Sequence, residues 1–111
     1  MNDFVTKKCE SCVGLSQKLE RDDALTYLRQ LPEWNLHSDN LSISRKFTFK
    51  NFKQTMFFIN AVAFICEKEG HHPDVKFSYN YCDIAFTSHE LGGLSDNDFI
   101  CASKVDLLLS T

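Results

Sequence analysis

A chain of 111 residues with 43% apolar and 24% charged residues can build one folded domain around a single core, and this composition argues against disorder over most of its length. Its net charge of −3, with no concentrated run of Lys or Arg, argues against nucleic acid as the main partner. The chain opens on no apolar leader, contains no apolar run long enough to span a bilayer, and carries five cysteines, an odd number for a disulfide framework; a reduced, cytoplasmic protein is expected.

Residues 1–18 lack sustained periodicity and read as a loose N-terminal arm, leaving residues 19–111 as a single domain. The arm holds Cys9-Glu10-Ser11-Cys12, a C-x-x-C that could supply half a zinc site or a redox pair, although no second such motif completes it. Cys66, Cys82 and Cys101 fall in apolar, regular segments and read as small core residues. Arg21 to Leu31 places Leu25, Leu28 and Leu31 on one stripe behind Asp22 and Asp23, which predicts a short amphipathic helix ended by Pro32. An extended piece starts at Trp34. After the turn cluster Ser38-Asp39-Asn40, residues 41–49 alternate as a strand in which Arg45 falls on the apolar phase, so it should lie near an edge or pack its stem with its head in water. His37 reads as a surface residue.

Asn51 to Glu69 predicts the longest helix, with Asn51 and Gln54 as a capping-box pair and Gly70 as the residue that ends it. From Met56 to Cys66 it is apolar nearly all round, more than a small sheet can cover, so the outer face is expected to pack on a second copy of the chain. Val75, Phe77 and Tyr79, then Cys82, Ile84 and Phe86, alternate as a hairpin turning at Asn80-Tyr81. His89 ends the second strand. A Gly-rich loop then leads to Ser95 and Asp98, a capping box for a last helix reaching about Leu109. The order α-β-β-α-β-β-α predicts a two-layer α+β domain, a four-stranded antiparallel sheet covered on one face by three helices.

The candidate chemistry gathers around Gly70-His71-His72-Pro73. A helix C-terminus, Glu67 and Asp74 favour charged imidazoles there, while repulsion between neighbours opposes it, so one neutral and one charged histidine are expected, an arrangement suited to proton transfer. A three-histidine metal site with His89 is the competing reading, weakened because adjacent histidines lack the i,i+4 or i,i+2 spacing that aims two rings at one ion. On their own, Asp98 reads as the cap partner of Ser95 and Glu67 as a solvated last-turn residue.

The run Glu67-x3-His71-His72-Pro73-x5-Tyr79-x9-His89-x8-Asp98 resembles the signature of pterin-4a-carbinolamine dehydratases. Leu31-Pro32-x-Trp34, Phe47-x-Phe49-x-x-Phe52 and Gly93-Leu94-Ser95 resemble the same family, so the resemblance covers about residues 19–109. It implies dehydration of 4a-hydroxytetrahydropterin to quinonoid dihydropterin with no metal or redox cofactor. His71, His72 and His89 would be the acid–base residues and Glu67 and Asp98 their supports. Gly70, Pro73, Thr87, Ser88 and Glu90 would join the histidines in binding substrate. The resemblance also implies a homodimer or homotetramer and a functional link to phenylalanine hydroxylase. Val75 stands where animal members of the family carry tryptophan, and Cys9 and Cys12 lie outside the resemblance. Two rivals follow from the same residues: a non-catalytic dimerisation partner on this fold, and a metal-binding module built on the histidines with Cys9 and Cys12.

Overall fold

A computed structural model describes residues 4–10 and 18–109. Its elements are α1 (Arg21–Leu28), β1 (Asn35–Leu36), β2 (Ile43–Thr48), α2 (Phe52–Glu69), β3 (Asp74–Phe77), β4 (Tyr81–Phe86) and α3 (Asp96–Leu107), with a short 3-10 turn over His89–Leu91. The four strands form one antiparallel sheet in the order β1-β2-β4-β3. This is the expected α+β architecture of three helices and a four-stranded antiparallel sheet. The pairings Ile43↔Phe86, Arg45↔Ile84 and Phe47↔Cys82 put the apolar phase of the two central strands on one face. Ile43, Phe47, Cys82, Ile84 and Phe86 are buried there with Val62, Cys66, Phe99 and Val105 from α2 and α3. Lys46, Asp83 and Lys76 lie side by side on the opposite face.

Both long helices start on the caps their sequences carry. Asn51 Oδ1 accepts from the Gln54 amide at 2.9 Å, while Gln54 Oε1 reaches back one residue further than a capping box requires, to the Lys50 amide at 3.1 Å. Several expectations are corrected by tertiary packing. α1 stops at Leu28, buries Ala24 and leaves Leu25 exposed, because the helix lies on the domain by its alanine face. Arg45 lies on a central strand with its stem in the core phase, and its partly exposed head is paired: Nη1 donates to Asp106 Oδ1 at 2.8 Å, and the guanidinium lies 4.5 Å from the Phe47 ring. Asp106 also accepts from Trp34 Nε1 at 2.9 Å, which ties β1's approach, β2 and α3 together. Burial pushes the Asp106 carboxyl above the ordinary carboxylate range, against the Trp34 bond and the Arg45 charge. The second hairpin turns one residue earlier than expected, with the Ser78 amide donating to the Tyr81 carbonyl, and Phe77 and Tyr79 are exposed.

The largest difference concerns the N-terminus. Where a loose arm was expected, residues 4–10 form a docked strap. Phe4 is buried, its ring 5.0 Å from Tyr27 and 5.9 Å from Phe99. Burying one such ring contributes on the order of 2 kcal/mol. The Cys9 amide donates to Glu69 Oε1 at 2.9 Å, and Glu10 exchanges backbone bonds with the Asn97 amide group at 2.9 and 2.6 Å. Cys12 lies outside the described residues. On α2 the apolar outer face is open, with Phe57 65% and Phe64 72% exposed.

Candidate active site

Gly70 caps α2 with φ of 72°, a left-handed conformation that costs glycine little. This turn lets the His71 amide close onto the Cys66 carbonyl at 3.1 Å and sends the two adjacent histidines in different directions. His71 points into the domain, where its ring stacks on Phe86 at 6.0 Å and Nε2 meets Asp98 Oδ1 at 2.6 Å. His72 stays 65% exposed, with Nε2 2.7 Å from Glu67 Oε1.

Asp98 is fully buried and shared among three partners. Its Oδ1 takes His71, and its Oδ2 accepts the Ser95 amide and the Ser88 hydroxyl, each at 2.9 Å. Ser95 Oγ in turn accepts the Asn97 amide and lies 2.7 Å from Ser88 Oγ. One carboxylate thus closes the capping box of α3 and orients a histidine. The contact between Asp98 Oδ1 and His71 Nε2 fixes the orientation of a ring that lines the cleft.

The cleft has a volume of about 430 Å³, within the range of small-molecule sites. Gly70, His71, His72, Thr87, His89 and Glu90 line it, and Cys9, Glu10, Glu69 and Asn97 complete the wall. His89 does not end the strand as expected but reaches the cleft from a 3-10 turn that begins after Thr87 and Ser88, beyond the end of β4 at Phe86, with Gly92 reversing the chain at φ of 69°. Two residues expected on the substrate wall stand elsewhere. Ser88 is buried behind it, spent on Asp98 and Ser95, and Pro73 borders a separate apolar groove with Ile59, Val62 and Ala63. Glu67 borders that groove too and touches the cleft only through His72. Among the described residues, no group of three or more His, Cys, Asp or Glu is placed to hold a metal ion.

A family model described as pterin 4 alpha carbinolamine dehydratase matches residues 17–108. The chain belongs to the pterin-4a-carbinolamine dehydratase family. A relative from Nitrosospira multiformis, provisionally named for that dehydratase, is 45% identical over 97% of this chain and 94% of its own. A Legionella pneumophila relative with the same provisional name is 48% identical over 97% and 96%. Among solved structures, a transcriptional coactivator/pterin dehydratase from Brucella melitensis superposes with a TM-score of 0.79 at 28% identity, covering 83% of this chain and 98% of that one. A pterin dehydratase-like protein identified as a RuBisCO assembly factor in the α-carboxysome gives 0.61 at 25% identity, covering 71% and 92%.

In this member of the family, the strap wall of the cleft rests on residues that sequence reasoning passed over. Glu69 and Asn97 each neighbour a residue singled out for chemistry, which is the only signal they carry. Burial alone would raise the Glu69 carboxyl. The hydrogen bonds from Lys104 and the Cys9 amide and the Lys104 charge outweigh it and hold the group below its ordinary value. A carboxyl lowered on folding stabilises fully above its unfolded value and loses that contribution as pH falls through the folded one. Wild type should therefore resist urea better than Glu69→Gln at neutral pH, with the gap between their unfolding midpoints closing as pH drops below about 4.3. A constant gap across that range would show that the Glu69 charge does not hold the strap.

Proposed function

We propose that this chain dehydrates 4a-hydroxytetrahydropterin to quinonoid dihydropterin by histidine acid–base catalysis, recycling tetrahydropterin in the cytoplasm for aromatic amino acid hydroxylation. Phenylalanine hydroxylase is the supplier this reading favours. The observation that carries it is His71, oriented by a fully buried carboxylate and facing a cleft that His72 and His89 also line. Water must leave C4a as a proton leaves N5, so the site needs an acid for the departing hydroxyl and a base for the N–H. Each turnover leaves the acid deprotonated and the base protonated. Exposed histidines such as His72 and His89 can exchange those protons with solvent, and family membership and cleft size support the substrate class.

The test is the decay of the 4a-carbinolamine absorbance with and without purified protein. Decay no faster than in buffer would sink the reading. Stoichiometric zinc whose removal abolishes the rate would sink the cofactor-free mechanism.

Assembly is part of the same proposal. Phe57 and Phe64 open an apolar face on α2 that a second copy of the chain would cover, giving a homodimer or homotetramer. Phe57→Glu combined with Phe64→Glu should shift the sedimentation coefficient to that of a monomer at micromolar concentration. An unchanged assembly would place the interface on another surface. The same open face supports the second reading, a binding role like those named for the Brucella melitensis protein and the RuBisCO assembly factor; an inactive but folded protein in the decay assay would favour it.

A further inference from the structure

Three thiols meet beneath the strap, and the acid–base chemistry uses none of them. Cys101 of α3 is fully buried, with its Sγ 3.4 Å from Cys9 Sγ, and the buried Cys66 of α2 neighbours it. Cys9 is half-buried, lines the cleft and sits 3.7 Å from the Asn97 carbonyl. It is the partly exposed cysteine of the three, and closing its 3.4 Å contact with Cys101 to the bonded separation of about 2.04 Å would join the strap to α3.

We propose that Cys9 and Cys101 form a reversible disulfide in response to hydrogen peroxide, fastening the strap covalently over the cleft. Cys9, as thiolate, attacks one peroxide oxygen. The O–O bond breaks, hydroxide leaves to become water, and Cys9 becomes a sulfenic acid. Cys101 sulfur then attacks Cys9 sulfur, the S–O bond breaks, and the Cys101 proton departs with the hydroxyl as a second water. Two thiols are oxidised and one peroxide is reduced to two waters; exchange with a dithiol reductant restores the start. Hydrogen bonding to Cys66 and Cys9, and then burial, push the Cys101 thiol up, so Cys9 and not Cys101 meets the peroxide first. The bond would turn a wall held by the Glu69 and Asn97 hydrogen bonds into a fixed one.

The inference stands independently of the assigned reaction, because its readout is the covalent bond. The reduced full-length chain is treated with hydrogen peroxide, blocked with a thiol reagent, digested without reductant and mapped by fragmentation mass spectrometry. The expected result is loss of two free thiols and two hydrogens per chain, with Cys9 linked to Cys101, and the same link in Cys12→Ser. In Cys101→Ala, Cys9 should proceed to sulfinic acid. A Cys9–Cys12 link in wild type, or Cys9 left unlinked while the chain stays folded, would overturn the proposal.

Discussion

Replacing His71 with alanine is expected to slow the dehydration by about 10²–10⁴-fold, the usual worth of a positioned acid or base. The ring lines the cleft with Nε2 held by Asp98, so its loss removes a proton-transfer group already held in place. The substitution also strips Asp98 of one of three partners, with a stability cost of about 1–3 kcal/mol. The Ser95 amide and Ser88 hydroxyl remain, and the fold should survive. His89→Ala separates chemistry from structure. His89 is exposed, so its removal should leave the melting temperature unchanged while the rate falls by about 10²-fold or more. A full rate in either variant would remove that histidine from the mechanism, and His72→Ala is judged by the same measurement.

Asp98→Ala should do more damage than either. It leaves a buried imidazole, a helix-end amide and a hydroxyl without their acceptor, and breaking such a buried pair costs about 3–5 kcal/mol. Its catalytic loss should be at least that of His71→Ala, since a misaligned imidazole transfers protons poorly. Asp98→Asn keeps the shape but turns an amide hydrogen toward one of three donors, so it should fall between Asp98→Ala and wild type in both urea midpoint and turnover. If Asp98→Asn matched wild type in both, the orienting role would be wrong.

The parts of this protein legible in its sequence are those fixed by short-range chemistry. Asn51 with Gln54 and Ser95 with Asp98 announce helix starts because the bonds they make span three residues. The alternation of Cys82, Ile84 and Phe86 announces a half-buried strand for the same reason. What escaped depends on partners distant in the chain. Arg45 could not show its bond to Asp106, nor Leu25 that α1 rests on Ala24 instead. The strap escaped because one phenylalanine and a few side-chain–backbone bonds hold it, with no periodicity to read. His71, His72, His89 and Asp98 were legible as a set through their spacing. That His71 turns inward and His72 outward is a property of the Gly70 turn, which no spacing encodes.

The sharing of Asp98 between His71 and the Ser95 cap couples ligand occupancy to helix fraying. Any molecule that holds the His71 ring in place also steadies the carboxylate, and through it the first turn of α3. A ligand that binds only the folded state raises stability by RT ln(1 + [L]/Kd). Here part of that gain should be local, appearing as slower hydrogen exchange at the Ser95 and Asn97 amides than at the C-terminal end of the same helix. The opening turn of α3 would then report, from inside the fold, whether the cleft is filled.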